Sequence, residues 1–274
     1  MPHESSEPNL EERCSLTRGE IYRVRRRIKQ SNVLSVSDSL CAIETAFSSI
    51  LHHRAALENY ILTNPILEFA LDPLILDEDA PQVARLAAEA CEIAGVGPMA
   101  AIPGALAELA VNAMLSTGSR VNLVENGGEI AASSNSSLTV GIYAGQSVFS
   151  GNVGFLLSPC DFPIGIATSS ATVSHALNFG EADAAVVIAD TASMADAVAK
   201  AACNAVKGDD CEASVQSGLE TVEKIGHTRG ALIIRGGFLG TVGKLPRLVK
   251  LDGDPKDMFT AALLDATVVE ATVL

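Results

Sequence analysis

GIATSSATVSHALNFGEADAAVVIADTASMADAVAKAACN, residues 165–204, carries the reading on which the fold turns. Its middle, Ala184 to Ile188, is a short apolar run of the kind that forms a buried strand. Thr191 follows as a helix N-cap, and the spacing predicts a helix from Ala192 to about Val206, with Gly208 as its stop. Ahead of the strand lie Thr168, Ser169, Ser170 and Thr172, a small hydroxyl-rich loop, and then His175. The helix carries one acid able to face inward, Asp196. Polar groups gathered beside apolar segments are costly unless they bind something or satisfy backbone, so function is sought here first.

Working outward, residues 20–36 read as two short strands joined near Gln30-Ser31-Asn32. A helix starts near Ser39 with Ile43, Ala46, Phe47, Ile50 and Leu51 on one face, and ends before Pro65. A second begins after Asp79, buries Val83, Leu86, Ala90 and Cys91, and stops at Gly95. In VGPMAAIPGALAELAVNAML, Pro103 is expected to delay the next helix to Gly104. VNLVENGG predicts a strand ending in a tight turn, with LTVGIYAG as its partner. A helix over 215–224 and strands over 231–235 and 247–251 complete the chain. Strand pairs before and after helix pairs predict antiparallel sheet with helices over one face, an α+β fold.

The chain has 274 residues, enough for one large core or two modest ones. Its net charge of -14 argues against a nucleic-acid groove, which needs a basic surface. Arg25-Arg26-Arg27 reads as a solvated strand. No apolar stretch suggests a membrane span and no apolar signal segment opens the chain, which predicts a cytoplasmic protein. The cysteines Cys14, Cys41, Cys91, Cys160, Cys203 and Cys211 show no C-x-x-C spacing, so reduced thiols are expected rather than a zinc knuckle.

Six phrases in order (YRVRRRIKQSNVLSV, RAALENYI, VGPMAAIPGALAE, VENGGEI, GIATSSATVSHALNFGEADAAVVIA and MADAVAKAACN) resemble the ApbE superfamily, most closely its short ApbE-like branch. The resemblance implies a single ApbE-like domain of two T-fold-like units of antiparallel sheet covered by helices. The expected lobes are about 15–118 and 119–252, with a tail over 253–274. It further implies FAD or FMN as ligand, magnesium as cofactor, and either cleavage of FAD to FMN and AMP or transfer of FMN to a threonine of an acceptor protein. Short relatives are also linked with sulfide and homocysteine handling, which implies an accessory role as the alternative.

In the resembled transferases the metal is held by a backbone carbonyl plus an Asp and a Thr one turn apart. This sequence retains Asp196 but has Lys200 at the threonine position. A protonated lysine offers no acceptor, so it either replaces the cation or makes an ordinary i,i+4 pair with Asp196. The chain also lacks the family's histidine-bearing segment with its D-P-x-T-G phrase. His175 is a candidate stand-in as proton carrier, or else a structural histidine.

Asn126, Gly127, Gly128 and Glu129 form either a flavin contact or a plain hairpin turn. Thr168, Ser169 and Ser170 are candidate phosphate donors or a helix cap. Met99 is placed to pack on isoalloxazine or to fill core. A homodimer surface is expected on the 39–61 and 215–224 helices.

Overall fold

The protein is described by a computed structural model over residues 15–17, 21–173, 177–251 and 271–273. In chain order the elements are β1 (Ser15–Thr17), β2 (Ile21–Ile28), β3 (Ser31–Ser37), α1 (Leu40–Thr63), α2 (Ile66–Phe69), α3 (Gln82–Ala94) and α4 (Ile102–Leu115). There follow β4 (Val121–Asn126), β5 (Glu129–Ser134), β6 (Leu138–Gly141), β7 (Val153–Leu157), β8 (Ile164–Ser169) and β9 (Ala184–Ala189). The last are α5 (Ala192–Ala205), α6 (Cys211–Ile225), β10 (Gly230–Arg235), β11 (Phe238–Gly243), β12 (Arg247–Lys250) and β13 (Ala271–Val273).

Nine strands form one antiparallel sheet in the order β1-β2-β3-β4-β5-β8-β9-β10-β11. Two units with the same plan lie side by side in it. The first is β2-β3, the helices α1 to α4, then β4-β5; the second is β8-β9, α5-α6, then β10-β11. This is the α+β arrangement of two T-fold-like units. Because β4 pairs with β3 from Val33↔Asn126 to Ser37↔Asn122, the β4-β5 hairpin closes the first unit. The expected division between 118 and 119 therefore falls inside that unit, between α4 and β4.

The local signals act as the sequence implies at most ends. Ser39 caps α1 through its side chain, Thr191 caps α5, and Gly95 ends α3 at φ 70°. Three expectations are corrected. The partner of β4 is β5, joined by the two-residue Gly127-Gly128 turn, while residues 138–141 enter the separate sheet β12-β7-β6-β13. Pro103 does not delay α4, which begins at Ile102, because a proline in the first helical turn forfeits no intrahelical bond. Thr168 and Ser169 are not loop residues: they end β8.

The helices cover one face of the large sheet and the small sheet covers the other. Along β9, Ala185, Val187 and Ala189 belong to the helix-side core, whereas Ala184, Val186 and Ile188 join Leu138, Val140, Phe155 and Leu157 on the small-sheet side. Double coverage explains why this strand is apolar throughout rather than alternating. The segment Pro98–Leu115 is apolar enough by length and composition to cross a membrane, with mean hydropathy 1.3, yet it is mostly buried as a core helix.

Small residues bring α5 very close to the sheet and to α4. A Cβ on Gly165 would lie 2.2 Å from the Thr191 carbonyl, and one on Gly104 would lie 2.4 Å from the Ala192 carbonyl oxygen. That approach lays α5 along β8, its first turn against Gly165, and brings Asp196 against the start of α4.

Candidate functional site

The β4-β5 turn is built around a buried acid. Gly127 and Gly128 both take positive φ, 80° and 112°, which the missing Cβ allows. Their amides both donate to Glu125 Oε1 at 3.1 Å. Arg25 approaches Glu125 Oε2 at 3.4 Å. Burial pushes the Glu125 carboxyl up to about 7, against the pull of Arg25 and the two amides. The glycine amides are thus engaged by the chain's own carboxylate. Asn126, on the helix side, donates from Nδ2 to the Pro103 carbonyl at 3.1 Å and ties the turn to α4.

Register places Glu129 opposite Asn126, so it also faces the helices. It is 8% exposed, and among the described residues its carboxyl accepts only from its own backbone N–H. Burial first, then the negative charges of Asp196 and Glu125, raise it well above the ordinary glutamate range, with Lys200 opposing. Asp196 is also buried, and its Oδ2 accepts the Gly104 N–H at 2.9 Å. Burial lifts it to about 7, opposed by that amide and by Lys200.

Of the two readings of Lys200, the i,i+4 contact pair with Asp196 does not form. Its ammonium donates to the Asn178 Oδ1 at 2.9 Å and the Leu177 carbonyl at 3.1 Å. Burial lowers its pKa, and the surroundings of Cys203, Asp196 and Glu129 resist the change. An ammonium has three donors, so one remains for the acids or for a ligand. Asn178 extends the network: it accepts from Ser169 Oγ at 3.1 Å and donates to the Ser170 carbonyl at 2.6 Å.

Ser169, Lys200, Asp196, Glu129 and Asn126 are therefore brought together on the helix face. Ser170 acts as a local cap, its Oγ accepting from the amides of Thr172 and Val173 at 3.2 and 3.0 Å. Thr168 is not with them. Alternation along β8 aligns it with Ile164 and Ile166 on the small-sheet side, where its Oγ1 is buried without a partner. Met99 lies in the 3-10 turn Pro98–Ala101, half-buried against the helix-side core. His175 lies outside the described residues.

Sequence reasoning missed Asn178, Gly104 and Arg25. Asn178 stood in the quoted phrase, but nothing in its spacing marks it as the link between Ser169 and Lys200. Gly104 was readable as a helix start, not as the amide that holds Asp196 from 92 residues away.

The donor set does not fit a magnesium ion. Asp196 has a backbone N–H on one oxygen, and the neighbouring helical turn presents a cation instead of an acceptor. Among the described residues, the Glu129 carboxyl accepts only from its own N–H, and Lys200 makes two of the three hydrogen bonds that an ammonium can donate.

The sequence profile of the family described as AbpE bacteria matches residues 16–223. A UPF0280 protein of Methanosarcina barkeri is 39% identical over 227 residues, covering 82% of this chain and 88% of the relative. A UPF0280 protein of Methanocaldococcus jannaschii is 40% identical over 227 residues, covering 82% and 92%. Among solved structures, the ApbE protein of Thermotoga maritima superposes with TM-score 0.56 at 14% identity, covering 80% of this chain and 96% of that one. The apo flavinyl transferase ApbE of Pseudomonas stutzeri gives 0.51 at 11%, covering 81% and 94%. At these identities the two structures establish a shared fold.

Proposed function

The chain belongs to the AbpE bacteria family, and from that premise we propose that it binds a flavin nucleotide on the helix face of the large sheet without recruiting a metal ion. The observation that carries this reading is Lys200, fixed by Asn178 and the Leu177 carbonyl among Asp196 and Glu129. It supplies within the chain the positive charge that the resembled transferases take from magnesium. Family membership and the fold shared with a protein that is itself a flavinyl transferase support flavin as the ligand class.

Each residue then has a chemical task. Lys200 donates its remaining N–H to a phosphate oxygen, Ser169 holds Asn178 in place through its hydroxyl, and Glu129 accepts from ribityl or ribose hydroxyls. Asp196, anchored by the Gly104 amide, keeps the Lys200 ammonium charged through its field. Gly127 and Gly128 shape the turn and seat Glu125. A bound flavin would supply redox chemistry or a phosphoanhydride open to cleavage.

The test is incubation of the whole protein with FAD, with and without magnesium, beside a Lys200→Thr variant. Melting temperature is followed together with release of AMP and FMN. The expected result is FAD-dependent stabilisation of the wild type that magnesium leaves unchanged, about 2.7 kcal/mol at 100 times the dissociation constant. No AMP is expected from the wild type. Magnesium-dependent AMP release by the wild type would restore the transferase or pyrophosphatase reading, and absence of any FAD effect on melting would remove flavin.

A further inference from the structure

The segment 62–75, between the end of α1 and the approach to α3, holds an unusual set of apolar side chains in solvent. Leu62 is 81% exposed, Ile66 63%, Phe69 72%, Leu71 57% and Ile75 98%. This is not a loose loop. Leu67 is fully buried, Leu74 and Leu76 pack half-buried against the helix-side core, and the Tyr60 hydroxyl donates to Asp77 at 2.9 Å. The Ala70 carbonyl sits so close to Gly97 that a Cβ there would lie 1.9 Å away. The strap is anchored by one set of side chains while another points outward. Single exposed leucines need no explanation, but five large apolar side chains exposed within fourteen residues of an anchored segment mark an interaction surface.

Charge narrows the occupant. Residues 55–84 contain no Lys, Arg or His, while Glu68, Asp72, Asp77, Glu78 and Asp79 are exposed around the patch. The flanking arginines are turned into the chain: Arg54 donates to Ser31 and Gln30, and Arg85 to the Ala80 carbonyl. An anionic membrane or nucleic acid would be repelled by that rim. A second copy fits poorly, since the chain carries -14 overall and Arg25, Arg26, Lys29, Arg120, Arg229 and Arg235 already pair with its own carboxylates.

We infer that the 62–75 strap is a docking surface for a basic amphipathic segment of another protein, whose apolar side covers Leu62, Ile66, Phe69 and Ile75 and whose cations meet the acidic rim. Apolar anchors ringed by complementary charge are how such segments are recognised. The strap rests on Gly97, in the segment that leads into α4. The inference stands independently of which nucleotide the candidate site takes.

The test uses the full chain and a fluorescein-labelled helical model peptide with leucines at i, i+3, i+4 and i+7 and lysines elsewhere. Anisotropy should report binding to the wild type, at least tenfold weakening in Phe69→Ser/Ile75→Ser, and no change in Val148→Ser/Leu248→Ser, which alters exposed apolar residues elsewhere. The same peptide with glutamate for lysine should not bind. Equal binding by the Phe69/Ile75 variant, or binding of the acidic peptide or of phosphatidylglycerol vesicles, would overturn the inference. So would a wild-type dimer in sedimentation that the same two substitutions dissociate, because the occupant would then be a second copy. Should that variant not fold, hydrogen exchange on the wild type decides: the peptide must protect the 62–76 amides, and unchanged exchange refutes the docking surface.

Discussion

The two faces of the nine-stranded sheet solve the same burial problem with different side chains. Against the small sheet the contacts come from Leu34, Leu123, Ile130, Leu138, Phe155, Leu157 and Ile166, large groups that fill a layer of ordinary thickness. Against α5 they come from Ala167, Ala185, Ala189, Ala195, Ala199 and Ala202, with Gly165 and Gly104 at the tightest points. Small residues let backbones approach, and close approach lays α5 along β8 with its first turn against Gly165 and the start of α4. The polar cluster of Ser169, Glu129, Asp196 and Lys200 lies on that thin face. The small-sheet side is filled by large groups throughout, whereas the helix side trades apolar area for proximity of polar groups only beneath α5, and holds Ile43, Phe47, Ile50 and Met114 beneath α1 and α4.

Substitutions on the thick face should have the largest effect. Phe155→Ala removes a fully buried ring and is expected to lower unfolding free energy by about 3–5 kcal/mol in urea titration. A loss under about 1 kcal/mol would mean that the small sheet contributes little to the core. On the thin face the sensitive change adds volume. Gly165→Ala puts a methyl against the Thr191 and Ala192 backbone and should destabilise by about 1–3 kcal/mol, with α5 displaced from β8. A neutral outcome would show that α5 has slack and that its approach does not fix the site.

Stability should also depend on pH through three buried acids, Glu129 and Asp196 on the helix side and Glu125, paired with Leu34, on the small-sheet side. Glu125 and Asp196 have folded values raised to about 7 from ordinary values near 4, and Glu129 is raised as well. Between those limits the native state binds more protons than the unfolded chain, so stability falls as pH rises from about 5 to 7. The slope is roughly 1 kcal/mol per pH unit for each such acid. Asp196→Asn and Glu125→Gln should each flatten the curve, read as urea midpoint against pH, whereas Phe155→Ala should shift it without changing its slope. A wild-type midpoint that rises over this range would mean that the acids are ionised and fully compensated.

The architecture was largely legible because it rests on local signals. Thr191, Gly95, Ser39 and the apolar run of β9 each act within a few residues. What sequence could not show was non-local choice. Two apolar strands, residues 129–134 and 138–141, compete to pair with β4, and the two-residue glycine turn decides for the nearer. In the site, Asp196 and Lys200 were visible as a pair one helical turn apart, but not that each would find its bond elsewhere, Asp196 at Gly104 and Lys200 at Asn178. Thr168 and Ser169, adjacent in sequence, part company because neighbouring residues of a strand face opposite sides.

The central claim is that the thin face carries its own cation and takes a flavin nucleotide through it. Calorimetric titration of the full chain with FAD in EDTA, wild type beside Lys200→Met, tests this most directly. The account predicts wild-type binding in EDTA equal to that in magnesium, and affinity at least tenfold weaker in Lys200→Met. Binding that appears only when magnesium is added, or that Lys200→Met leaves untouched, would contradict it.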